Sequence, residues 1–73
     1  MRDWQPFPLS TVALLSDVPR QRLVRGQVGT VVERLDEQNS LVEFSDDQGK
    51  AYAITPCLDS ELLVLQYEPK RPD

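Results

Sequence analysis

The sequence contains no histidine. Its absence removes the commonest general base at neutral pH and the commonest nitrogen ligand for a transition metal. There is one cysteine, Cys57, which excludes an internal disulfide and any zinc site built from several thiolates. No apolar run approaches the ~20 residues of a membrane-spanning helix. The opening residues Met1 to Pro6 are too polar for a secretory signal, so a cytoplasmic location is expected, with no membrane partner. With 73 residues there is room for one domain. A domain of this size buries only ~60% of its unfolded surface, too little to support a large enzyme cleft. What is present is ordinary for a folded chain: 40% hydrophobic and 27% charged residues, which excludes a compositionally disordered segment.

This is a small acidic protein. Twelve acids oppose eight bases, for a net charge of −4. That balance argues against broad, non-specific nucleic-acid binding, which depends on Lys and Arg neutralising phosphates. The charge is uneven. Arg20, Arg22 and Arg25 fall together with no acid between them. From Asp36 to Glu61 the acids are Asp36, Glu37, Glu43, Asp46, Asp47, Asp59 and Glu61, against one base, Lys50. Such a division fits a solvated surface, or a bipolar one that orients a charged partner.

Along the chain, residues 1–9 read as an extended arm, because Pro6 and Pro8 fix extended geometry around Trp4 and Phe7. Thr11 to Leu15 is a short apolar strand, followed by turn chemistry at Ser16 to Pro19 and a long basic loop from Arg20 to Gln27. Val28, Val31, Val32 and Leu35 carry helical spacing, yet three are β-branched and Gly29 weakens a helix, so a strand is predicted. Its parity is unclean, which places a bulge or a close backbone approach at Gly29. Asp36 to Ser40 reads as a hairpin loop, with Asn39 the candidate left-handed residue. Val42 and Phe44 share a face of the next strand. Asp46-Asp47-Gln48-Gly49 is a turn, and Tyr52 and Ile54 share a face of the return strand. Pro56 is expected to end that strand, with a single 3-10 turn within Pro56 to Glu61, before the last strand. Leu62 to Tyr67 forms a last strand that is apolar on both faces, and residues 68–73 a flexible tail.

Five short strands with these connections predict an all-β fold, a small five-stranded SH3-like barrel over residues 10–67, with an OB-type barrel as runner-up. The expected core is Val12, Leu14, Val28, Val31, Phe44, Ile54, Leu63 and Leu65.

The chemistry is sparse. Cys57 lies among apolar and acidic neighbours that raise a thiol pKa. Asp36-Glu37 and Asp46-Asp47 lack the ligand spacing of a calcium loop. Gly26 and Gly29 are followed by neither a Lys-Ser/Thr pair nor a helix, so no phosphate loop is present. No catalytic residue, metal or cofactor is therefore expected. Binding remains. Its candidate residues are Trp4, Phe7, Arg20, Arg22, Arg25, Leu62 and Val64, the last two as surplus apolar surface on the final strand. The expected function is a non-enzymatic protein-interaction module, through a protein partner or self-association. The alternative is an accessory factor that binds RNA or the ribosome through the arginine loop.

Arg25-Gly26-Gln27-Val28-Gly29-Thr30-Val31-Val32-Glu33 resembles the KOW-type element, a loop-to-strand segment of SH3-like domains in ribosomal and transcription-elongation proteins. A fuller resemblance runs through Val12 to Leu15 with Asp17, Arg25 to Val32, Val42 to Phe44 and Leu62 to Leu65. These segments are similar to a bacterial family, common in cyanobacteria, known as domain of unknown function 4926. The resemblance brings no activity with it. It implies a KOW-like SH3-like barrel and, from toxin-like neighbours of some members, an antitoxin or immunity-type partner; a regulatory subunit is the other form the interaction module would take.

Overall fold

Alternating burial along five strands builds one antiparallel sheet. In the computed structural model, Pro6 and residues 8–66 are described. The expectations for Trp4, Phe7, Tyr67 and the tail 68–73 lie outside them. The strands are β1 (Thr11–Leu14), β2 (Val28–Arg34), β3 (Asn39–Ser45), β4 (Ala51–Leu58) and β5 (Leu62–Val64). They lie in the order β4-β3-β2-β1-β5, every neighbouring pair antiparallel. The two outer strands, β4 and β5, do not pair with each other, so the sheet is open rather than a closed barrel. Single 3-10 turns occupy Pro19–Gln21 and Asp59–Glu61. Among the described residues no helix is long and apolar enough to cross a membrane.

The core consists of Val12, Leu14, Val18, Leu23, Val31, Val42, Phe44, Cys57 and Leu62, with Ala53 and Val64 packed against it. Four expected core residues are thus in place: Val12, Leu14, Val31 and Phe44. Four are not. Val28, Ile54 and Leu63 are 46%, 56% and 50% exposed, and Leu65 is only half-buried. The reason is cross-strand pairing, which puts directly opposed residues on the same face. Val12 and Leu14 point inward on β1. Their β5 partners are Val64 and Leu62, so these turn inward and Leu63 turns out. On β3, Val42 and Phe44 point inward and pair with Thr55 and Ala53 on β4. Beside the phenyl ring the interior takes small side chains, and the bulkier Tyr52 and Ile54 face out.

Two irregularities differ from expectation. Pairing runs regularly through Gly29, which opposes Val12 on one side and Phe44 on the other. The register shift comes later, between Val31 and Glu33, so the bulge residue is Val32. Gly29 itself is a close approach. A Cβ there would stand 2.8 Å from Val42 Cγ1 and 2.9 Å from both Glu43 O and Phe44 Cδ1. Pro56 does not end β4 but sits within it, opposite Leu41. An edge strand tolerates proline where the missing N–H faces the unpaired side. Leu58, two residues on, turns its N–H to Glu61 Oε1 at 2.9 Å, which agrees with that orientation.

The hairpins are held by aspartates. Asp36 Oδ1 accepts the N–H groups of Gln38 and Asn39, each at 2.8 Å. Asn39 opens β3 and is not left-handed; among the described non-glycine residues, Leu9 and Arg22 have positive φ. At the second hairpin Asp46 Oδ1 accepts Gln48 N–H and Lys50 N–H, and Gly49 takes φ 82° as the turn demands.

Candidate interaction surface

The open sheet presents an outward face with two apolar areas. The first spans β2, β3 and β4. Leu41 pairs with Pro56, Glu43 with Ile54, and Asn39 with Leu58, all on the side away from Val42 and Phe44. Thr30 and Glu33 of β2 oppose Glu43 and Leu41. The bulge turns Val32 out beside them. Val32, Leu41, Ile54, Pro56 and Leu58 thereby form a continuous apolar strip crossed by two carboxylates, Glu33 and Glu43. Among the described residues the one ion pair joins Arg34 to Asp59, so neither carboxylate has a cation partner there.

The second area is a row across β2, β1 and β5. Ala13 pairs with Val28 on one side and Leu63 on the other. Tyr52 of β4 accepts at its hydroxyl from Gln27 Nε2, beside the β2 end of the row, at 2.9 Å. Leu15 continues the outward parity beyond β1 and is exposed.

The arginine loop is anchored from beneath. Val18 and Leu23 bridge each other and bury both side chains, while the 3-10 turn at Pro19–Gln21 lies between them. Arg22 closes that turn in the left-handed region at φ 59°. Arg25 is fixed through its backbone N–H, which donates to Asp17 Oδ1 at 2.9 Å. The result exposes Arg20, Arg22 and Arg25 together, with no ion pair among the described residues. The final strand behaves otherwise. Leu62 is 7% exposed and Val64 packs on the core, so they are interior residues and do not form the surplus patch expected of them. The outward residue of that strand is Leu63.

One feature carried no sequence signal. After the bulge the parity of β2 flips, and Arg34 turns to the inner side opposite Ser40. Its guanidinium donates to Asp59 Oδ1 at 2.6 Å, Ser40 Oγ at 3.1 Å and Glu37 O at 2.8 Å. This clasp ties the β2–β3 hairpin to the 3-10 turn before β5. Unbroken alternation from Val31, with no bulge, would have turned Arg34 outward.

Residues 9–64 match the family described as Domain of unknown function (DUF4926). The chain belongs to that family. No curated protein and no solved structure matches it. The DUF4926 match runs from Leu9 to Val64. It takes in all five strands, both outward apolar areas and the arginine loop, and leaves Trp4 and Phe7 outside.

Within this DUF4926 domain the reactive groups are muted. Burial pushes the Cys57 thiol up to about 11, the Glu61 charge adds to the rise, and Arg20 opposes it. A thiol so placed is protonated at neutral pH and a poor nucleophile. The Gln38 N–H and the Asn39 side chain hold Asp36 below the ordinary carboxylate range, as a loop brace does. Among the described residues, no three His, Cys, Asp or Glu side chains group as metal ligands.

Proposed function

We propose that the chain is a non-enzymatic protein-binding module on an SH3-like framework, acting as a regulatory subunit or as the neutralising partner of another protein. The order β4-β3-β2-β1-β5, a long first loop, two tight hairpins and a 3-10 turn before the last strand support the framework. So does the KOW-like segment, whose Gly29 admits the close approach of β3. The observation that carries the functional reading is the placement of Val28, Val32, Ile54, Leu58 and Leu63, large apolar residues on the outward face of a small domain. Apolar residues gathered into two areas of a small domain's surface mark interaction sites. The protonated, buried thiol of Cys57 and a sequence without histidine fit binding better than catalysis.

A second reading has its own support. Arg20, Arg22 and Arg25 stand exposed on one anchored loop, which suits phosphate contacts to RNA. Purification of the tagged chain from native lysate separates the two. A partner protein retained after nuclease treatment and lost in Ile54→Glu or Leu63→Glu supports the module. Binding that vanishes with nuclease and with the triple substitution of Arg20, Arg22 and Arg25 by Ala supports the RNA reading instead.

A further inference from the structure

Resting on the binding-module reading, we infer that the outward face of β2, β3 and β4 receives a basic segment of another protein. Its apolar side chains seat on Val32, Leu41, Ile54 and Leu58, and its Lys or Arg side chains meet Glu33 and Glu43. The strip is continuous through paired residues, Glu33 to Leu41 to Pro56 in one row and Thr30 to Glu43 to Ile54 in the next. Glu43 is half-buried, yet among the described residues no cation pairs with it. Arg34 is committed to Asp59, Ser40 and Glu37 on the opposite side. Between Asp36 and Glu61 the sequence holds seven acids and one base. The face therefore calls for positive charge from outside, and repels phosphate.

The geometry also limits how the segment docks. Strand addition to the β4 edge needs a row of free backbone donors. Pro56 has none, and the Leu58 N–H is taken by Glu61 Oε1 at 2.9 Å. Recognition is thus by side chains on the face and not by extension of the sheet. A second copy of the chain fits badly, because a two-fold contact centred on this face would bring the carboxylates of both copies together without adding a cation from it.

The test titrates the isotope-labelled chain with a synthetic peptide alternating leucine with lysine, and with its counterpart bearing glutamate for lysine, followed by amide chemical shifts. The lysine peptide is expected to give saturable shifts at Val32, Leu41, Glu43, Ile54 and Leu58, and the glutamate peptide none there. Ile54→Ser weakens binding by about tenfold or more. Glu33→Gln with Glu43→Gln weakens it and flattens its salt dependence, while Gln48→Ala, in the exposed turn between β3 and β4, leaves it unchanged. Shifts centred on Ala13, Val28 and Leu63, or glutamate-peptide binding at the arginine loop, would overturn the inference and leave the module reading standing. No saturable shift with either peptide also overturns it, whereas the module reading fails only if the lysate partner is absent or is RNA.

Discussion

Ile54 and Glu43 are cross-strand partners, and both point away from the core. One residue along each strand, Thr55 and Val42 are also partners, and both point in. That single register decision assigns the larger side chain of β4 to the surface. It converts a strand that reads as core into the middle of an apolar, acid-crossed face.

The inward side is anchored by Phe44, which is fully buried. Phe44→Ala is expected to cost ~3–5 kcal/mol, the usual loss for a buried phenyl ring. In a domain with little stability to spare, denaturant titration should show a strongly reduced midpoint or no folded baseline. An unchanged midpoint would remove Phe44 from the core.

Gly29 lies between Val12 and Phe44 with the Glu43 carbonyl behind it. Gly29→Val raises strand propensity and is nonetheless expected to destabilise by ~1–3 kcal/mol, since the backbone oxygen cannot move aside as a side chain would. Thermal melting reads this directly, and a stabilised variant would contradict the close approach.

How much of this was legible in the sequence depends on parity. Alternation alone placed Val42 and Phe44 together and Tyr52 and Ile54 together. It could not say which pair faces in, because β4 offers Ala53, Thr55 and Cys57 on the other side, and size favoured the wrong set. The same ambiguity exchanged Leu62 and Val64 for Leu63 and Leu65. Only the register against β1 and β3 resolves both, and register is a long-range property. Gly29 was legible as a special position from the disagreeing parity on its two sides, and the close approach of Val42, Glu43 and Phe44 is what occupies the space a Cβ would need. The bulge itself was read three residues early, and the inward turn of Arg34 was lost with it. The exposed arginine loop was visible from composition, whereas its anchoring by Val18 and Leu23 was not.

The Arg34–Asp59 clasp gives a coupling prediction. Both side chains are mostly buried, at 24% and 20% exposure. Arg34→Met and Asp59→Asn are each expected to destabilise by ~1–3 kcal/mol, and the double variant by less than their sum. A double-mutant cycle by urea unfolding checks this, and strict additivity would show that the pair does not act as a clasp.

Cys57 predicts an alkaline limb. Its thiol is raised from 9.0 to about 11 in the folded chain, so folding favours the protonated form. Stability is unaffected while both states stay protonated. It falls as pH rises past the unfolded value and levels off above the folded one. Cys57→Ala should be less stable at neutral pH and lack that part of the alkaline loss. Parallel pH profiles of the two proteins between pH 9 and pH 11 would refute the assignment.

The proposed binding face is tested most directly by photocrosslinking in cells, with a photoreactive residue introduced at position 54 in one variant and at position 63 in another. The account predicts that the position of Ile54 gives a discrete protein adduct, and that its crosslinked segment carries Lys or Arg among apolar residues. Position 63 should give little of that adduct. An adduct at position 63 alone, or crosslinks to RNA from positions within the arginine loop with none at position 54, would contradict it.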